Sequence, residues 1–343
     1  MKALVLTAPS KLELQDVPAP QPAADEVLIR VRACGICGSD LHGWDGSSGR
    51  RTPPLIMGHE AAGEIAAVGE SVTTWQIGER VTFDSTIYCG ECDYCRAGRI
   101  NLCENRRVVG VAPAEYKQHG AFAEFLSVPQ RILHRLPDDL PFHHAAMVEP
   151  VSIALHAVSL VTLPDSVAVV VGTGMIGLLV VQALRHAGAQ HIVAIDREPT
   201  RLALARELGA TLALRSDQSD LPAELAKLKP HGADVVFEVV GIEPTVQLAL
   251  QLVRRGGDVV LVGNLAPSIA GFPLQSVVTR QVKLHGSCGS AGEYPLAIDL
   301  IARGVVRVEP LITAVAPLDD GAGWFDRLTS PTGRHNLKVV LTP

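Results

Sequence analysis

Residues 167–177 read VAVVVGTGMIG, and they decide the architecture of the chain's second half. Five apolar residues in a row suit a strand buried on both faces. Gly172, Gly174 and Gly177 then form G-x-G-x-x-G ahead of an apolar-periodic stretch that runs through Arg185. Between a strand and a helix the three glycines serve, in order, a tight turn, close approach of the backbone to a pyrophosphate, and close packing of helix on strand. The free amides at the helix N-terminus face the phosphates. HIVAID follows and ends in Asp196, where a carboxylate accepts hydrogen bonds from the adenosine ribose and repels a 2′-phosphate, favouring NAD over NADP. Arg197 and Arg201 stand close by and pull the other way. A glycine turn in some other α/β fold is the alternative for the hexapeptide alone; together with Asp196 it points to a dinucleotide site.

Working outward, strand-like and helical stretches alternate from about Val151: TRLALARELGA, DVVFEVV, PTVQLALQLV, DVVLVG and VKLHGS. This alternation predicts a parallel, doubly wound sheet. Before about Leu140 the pattern changes to short strands (ALVL, EVLIRVRAC, EAAGEIAAVG, ERVTF) among many Gly and Pro residues. That predicts a β-rich, partly barrel-like unit with long loops. A length of 343 residues suits two domains, and a hydrophobic content of 47% supplies both cores. The net charge of −6, without any basic cluster, argues against a nucleic-acid or anionic-membrane surface. Glycines break the longest apolar run, SVAVVVGTGMIGLLVVQAL, which reads as strand, turn and helix rather than a membrane span. The start of the chain lacks an apolar signal segment, and the cysteines offer few plausible pairs, so a cytoplasmic protein is expected.

Two groups of residues suit metals. Cys89, Cys92, Cys95 and Cys103 stand at C-x2-C-x2-C-x7-C within YCGECDYCRAGRINLC, a lobe at 88–104. Four thiolates at such spacing can close a tetrahedron around one Zn²⁺ with no open position, a structural site. Disulfides are the weaker alternative in a reducing compartment. Further upstream, Cys37 in CGICGSDLH and His59–Glu60 in GHEAAGEIAAVG make a workable catalytic set of thiolate, imidazole and carboxylate, leaving a position for substrate oxygen.

The pattern Gly58-His59-Glu60-x2-Gly63-x5-Gly69-x2-Val72 resembles the zinc signature of the medium-chain alcohol dehydrogenase superfamily. With Cys37, the four-cysteine lobe and the glycine loop in this order, the resemblance covers nearly the whole chain. It implies a GroES-like catalytic domain of residues 1–149 and 286–343, a Rossmann NAD-binding domain of residues 150–285, and an active site in the cleft between them. Simple alcohol dehydrogenases carry a second ligand cysteine where this chain has Glu149, in AAMVEPVSIALHA. That change resembles the sorbitol, or L-iditol, branch. There the ligands correspond to Cys37, His59 and Glu60, with Glu149 holding a zinc-bound water or substrate. On the residues alone, Glu149 also reads as an acidic residue ahead of a proline-initiated helix.

The resemblance further implies that Ser39 and His42 relay the alcohol proton and that Asp40 supports the metal shell. It places Ile176, Val262, Gly263, Asn264 and Ser287 beside the coenzyme. Cys34 is a bystander. Two departures from the sorbitol branch stand out: Gly43 replaces an aromatic residue after His42, and an arginine is absent around Gly286–Ser287. Trp44, Ala112 and Tyr116 are candidate pocket residues. The chemistry implied is transfer of a hydride from a secondary alcohol of a polyol or sugar to NAD. Alternatives are a threonine-type dehydrogenase and a non-catalytic protein on the same fold. A homo-oligomer, dimer or tetramer, is expected, with DVVLVG as a sheet edge that continues across subunits.

Overall fold

The computed structural model describes residues 1–163 and 166–343. Two units emerge: Met1–Pro150 with Tyr294–Gly304 and Val308–Pro343, and Val151–Glu293 with Val305–Arg307.

The first unit is built on a seven-stranded sheet. Its path runs Leu133–Arg135, Arg80–Phe83, Glu60–Val68, Glu26–Gly35, Lys338–Thr342 and Ile312–Pro317, and Phe125–Pro129 also pairs with Glu26–Gly35. Within Glu26–Gly35, Val27, Ile29, Val31 and Ala33 are buried while alternate Arg30 and Arg32 are exposed, the period-two pattern of a half-buried strand. Antiparallel pairing sets Gly35 against Glu60, and the chain's last strand sets Val340 against the same Gly35. Three segments far apart in sequence therefore meet at one point. A second sheet of three strands (Lys11–Asp16, Lys2–Ala8, Leu55–Ile56) adds Leu4, Leu6 and Leu55 to the core, where Phe122 and Phe325 meet edge to face with centroids 5.9 Å apart.

The second unit carries a six-stranded parallel sheet. Its order is Leu212–Arg215, His191–Asp196, Val167–Val171, Ala233–Glu238, Val253–Leu261 and Lys283–Gly286. Val167–Val171 is buried at every residue, as its composition predicts for a central strand covered on both faces. Helices Met175–His186, Pro199–Glu207 and Glu243–Leu252 fill the crossovers. Gly177 is where the first helix comes nearest the strand: a Cβ there would lie 1.9 Å from the Gly172 carbonyl oxygen. Since every strand runs the same way, the turns after Val171, Asp196, Glu238, Leu261 and Gly286 gather at one end of the sheet.

Two expectations need correction. DVVLVG is not an edge, because Lys283–Gly286 pairs outside it and forms the edge itself. An apolar run is common to central and edge strands, so composition did not separate them. The return to the first unit comes at Tyr294 rather than at 286, since the chain beyond the edge strand stays with the second unit as far as Glu293. There the Glu293 carboxylate pairs with His156 Nδ1 at 2.8 Å. Val305–Arg307 also belongs to the second unit, exchanging two hydrogen bonds between Arg307 and the Gln182 side chain. Among the described residues no helix is long and apolar enough to cross a membrane.

Gly177→Ala should force the helix off the strand. We expect a stability loss of about 1–3 kcal/mol, typical of overpacking, measured by urea denaturation; an unchanged midpoint would contradict the close approach.

Candidate metal centres and coenzyme loop

Cys37 follows the end of strand Glu26–Gly35 and precedes the short helix Gly38–Trp44, while Glu60 opens the neighbouring strand. The Gly35–Glu60 register thus brings Cys37, His59 and Glu60 together across the sheet, and one ligand atom from each lies within 4.8 Å of the others. His59 and Glu60 are buried and Cys37 is partly so.

The charges around these three are arranged in pairs. Lys338 Nζ donates to Glu60 Oε2 and also to the Ile36 carbonyl at 3.0 Å, with its own side chain 1% exposed. Burial disfavours the Lys338 ammonium, but the Glu60 carboxylate outweighs this and raises its pKa. Among the described residues Glu60 Oε1 has no hydrogen-bond partner despite burial. On the other side, Asp40 Oδ1 approaches His59 Nδ1 at 3.4 Å and Arg51 Nη2 at 3.5 Å. Burial opposes charge on both residues, yet the Asp40 carboxylate holds the His59 imidazolium well above its ordinary range, and His59 and Arg51 hold Asp40 below its own. Asp40 Oδ1 and His59 Nδ1 lack the alignment of a hydrogen bond. A thiol, an imidazole and a carboxylate with an unpaired buried oxygen fit a divalent zinc ion, which would take the place of the His59 proton.

Glu149 stands outside that trio. It lies in the first turn of helix Val148–Ser159 and accepts from Ser85 Oγ at 3.5 Å. Burial, with Glu60 nearby, pushes its carboxyl up to about 7. Glu149 is an acidic first-turn residue whose carboxyl feels the charges of His59 and Glu60. Ser39 and His42 are three apart on the helix after Cys37, so they share a face. Ser39 Oγ is 3.5 Å from His59 Nε2, and exposed His42 has Ser47 Oγ 3.4 Å from Nδ1. Cys34 is buried with its thiol toward the Gly35 carbonyl and is not one of the three clustered ligands. Trp44 and Ala112 belong to the hydrophobic core, and the Tyr116 hydroxyl accepts from the Val108 amide. These two core residues are therefore taken by packing, a fate their size and apolarity also allowed.

In the cysteine lobe all four thiols lie within 4.8 Å of one another. Cys92 and Cys95 sulfurs are 3.5 Å apart and Cys89 and Cys95 are 3.9 Å apart, too far for disulfide bonds. Backbone amides of Glu91 and Cys92 lower the Cys89 thiol to about 6. Burial and the neighbouring sulfurs drive Cys95 to about 12. Backbone amides lower Cys92 as well, so two thiols that ionise readily stand beside one that resists, a balance that a dication relieves.

In the second unit, the turn after Val171 has Gly172 at φ +93° and leaves open space where a Gly174 side chain would stand. The Asp196 carboxylate accepts from the amides of Thr173, Arg197 and Glu198 and from the Thr173 hydroxyl. It locks the glycine turn to the next strand, so a ribose hydroxyl must share its lone pairs. Ile176 is the second residue of the following helix; the amides of Val262 and Gly263 donate to the Glu238 carbonyl, Asn264 is exposed, and the buried Ser287 hydroxyl lacks a partner among the described residues. Arg197 is exposed, and Arg201 lies on helix Pro199–Glu207.

Sequence reasoning missed Lys338 and Arg51. Lys338 carried one signal, a lone cation beginning the apolar strand KVVLT. Gly35 has a matching constraint, because a Cβ there would lie 2.3 Å from Glu60 Oε2. Gly35→Ala should dislodge the Glu60–Lys338 pair. We expect zinc content to fall from about two to about one per chain as the open site is lost; two retained zincs, by plasma emission spectrometry, would contradict this.

Comparison with known proteins agrees with this geometry. The model of the alcohol dehydrogenase GroES-like domain matches residues 23–138, and that of the zinc-binding dehydrogenase domain matches residues 176–303. Sorbitol dehydrogenase of Bacillus subtilis (strain 168) is 37% identical over 100% of this chain and 97% of its own length. D-arabitol-phosphate dehydrogenase of Enterococcus avium is 34% identical over 99% and 97%. A zinc-binding dehydrogenase structure from Sinorhizobium meliloti 1021, bound to NADP, superposes with a TM-score of 0.91 at 34% identity, covering 100% of this chain and 99% of that one. The paired metal clusters, the glycine loop and this end-to-end similarity make the chain a member of the zinc-dependent medium-chain alcohol dehydrogenase family, on its polyol dehydrogenase side.

Proposed function

We propose that the protein oxidises a secondary alcohol of a polyol or sugar to the ketone, with NAD as oxidant, at the centre formed by Cys37, His59 and Glu60. The supporting observation is the buried thiol–imidazole–carboxylate trio, with its unpaired Glu60 oxygen, in a chain of this family. When bound, zinc supplies the Lewis acid that eases ionisation of the alcohol, and NAD supplies the acceptor for the hydride leaving the carbinol carbon.

The chain's own residues do the rest. Asp40 orients His59, and Lys338 fixes one Glu60 oxygen while leaving the other for the metal. Ser39 takes the hydroxyl proton as it releases its own, and His42, on the same helix face and open to solvent, takes up the released proton and passes it to water. The products are ketone, NADH and a proton. Glu149, with its carboxyl near neutrality, positions the alcohol or water between turnovers. The four-cysteine lobe holds a second zinc that is structural.

The Asp196 charge opposes a 2′-phosphate, which supports NAD. The lobe sulfurs, too far apart for disulfide bonds, support a reducing cytoplasm. A dimer or tetramer is supported by the open edge strand Lys283–Gly286, whose Leu284 is 38% exposed.

The test is NADH formation by zinc-replete protein on hexitols, pentitols, inositols, threonine and primary alcohols. Turnover confined to polyols is expected. Turnover of threonine alone would move the protein to the amino-alcohol branch, and silence throughout would contradict catalysis.

A further inference from the structure

Gly43 directly follows His42, and the volume its missing side chain leaves is taken by Arg51. The Arg51 stem crosses this glycine so closely that a Cβ at position 43 would lie 2.2 Å from Arg51 Cγ. The side chain thus drawn in is 6% exposed. Its Nη2 donates to Ser39 Oγ at 3.3 Å and stands 3.5 Å from Asp40 Oδ1. Its Nε is buried and has no hydrogen-bond partner among the described residues. A guanidinium stays charged and presents its donors in a fixed fork, with Nε and Nη2 on one edge. An unsatisfied buried donor is costly. Here it lies on the same edge of the fork that holds Ser39.

We propose that Arg51 is a specificity-determining residue that donates from Nε to a neutral hydroxyl on the carbon next to the one being oxidised, so that the centre selects vicinal diols. The assignment presupposes the polyol dehydrogenase function proposed above. Because Nη2 holds Ser39 Oγ, a ligand oxygen at Nε stands beside the oxygen that gives Ser39 its proton, the relation of two hydroxyls on adjacent carbons. The electrostatics favour a neutral group over an anion. Asp40 already faces the guanidinium, and the Glu60 carboxylate stands within 4.8 Å of His59, which Asp40 also meets. A phosphate or carboxylate would set one shared cation against these acids, whereas a hydroxyl oxygen accepts an N–H without bringing charge.

The test compares kcat and KM for 2,3-butanediol and 2-butanol, which differ by the one hydroxyl, in wild-type, Arg51→Met and Gly43→Ala proteins, with zinc content measured in each. Gly43→Ala displaces the guanidinium without removing it, and so tests the proposal even where Arg51→Met fails to fold. We expect each variant to keep its zinc. The diol-to-monoalcohol ratio of kcat/KM should fall about ten- to hundredfold, the loss of one charge-assisted hydrogen bond, chiefly through KM for the diol. Parallel loss on both substrates, an unchanged ratio, or a wild-type preference for a pentitol phosphate that Arg51→Met abolishes would overturn the assignment. A wild-type protein inert on both alcohols and on the polyol panel would instead fail the function beneath it.

Discussion

Two carboxylates with no exposed surface, Asp40 and Glu60, lie beside a thiol and an imidazole, and keeping their charges balanced governs the whole centre. Burying an unpaired ion costs several kcal/mol, so each acid has a cation: Lys338 for Glu60, His59 and Arg51 for Asp40. The balance is left incomplete. Glu60 retains a bare oxygen, and Glu149 is driven to hold its proton near neutral pH. A buried carboxylate oxygen without a partner among the described residues, beside a thiol and an imidazole whose proton a metal can replace, is a site suited to a dication. The pairing at Gly35, where the end of one strand meets the start of a second and the middle of a third, makes this clustering possible.

How much of this the sequence disclosed depended on how far apart the cooperating residues lie. The cysteine lobe was legible because its four ligands fall within one short loop and the thiol type names the metal. The parallel sheet was legible because Val167–Val171 is apolar throughout and ends in a glycine turn with one demanding contact. Cys37, His59 and Glu60 were legible as a set only through a family motif, since their meeting depends on strand register. Lys338 lies 278 positions from Glu60, and no local pattern announces that pairing. Arg51 was hidden differently, because its importance depends on an absence at Gly43.

Asp196 shows why a motif residue and its role should be kept apart. Its position at the strand end is the one the coenzyme motif requires, and the observed bonds give it a second duty in holding the Thr173 turn. Glu149 is another double case, a helix first-turn acid whose raised pKa follows from the company it keeps. The coenzyme motif located Asp196 and the family resemblance located Glu149, while the hydrogen bonds and charges around them say how each works.

The central claim is that one zinc sits in an all-sulfur cage and the other at Cys37, His59 and Glu60. Zinc-edge X-ray absorption on the intact protein tests it directly. Four sulfurs at one ion and one at the other give a mean of two and a half per zinc, with nitrogen or oxygen neighbours at about 2.0–2.2 Å making up the remainder. A single zinc per chain surrounded only by sulfur would contradict the account, since it would leave the charge-balanced centre without its ion.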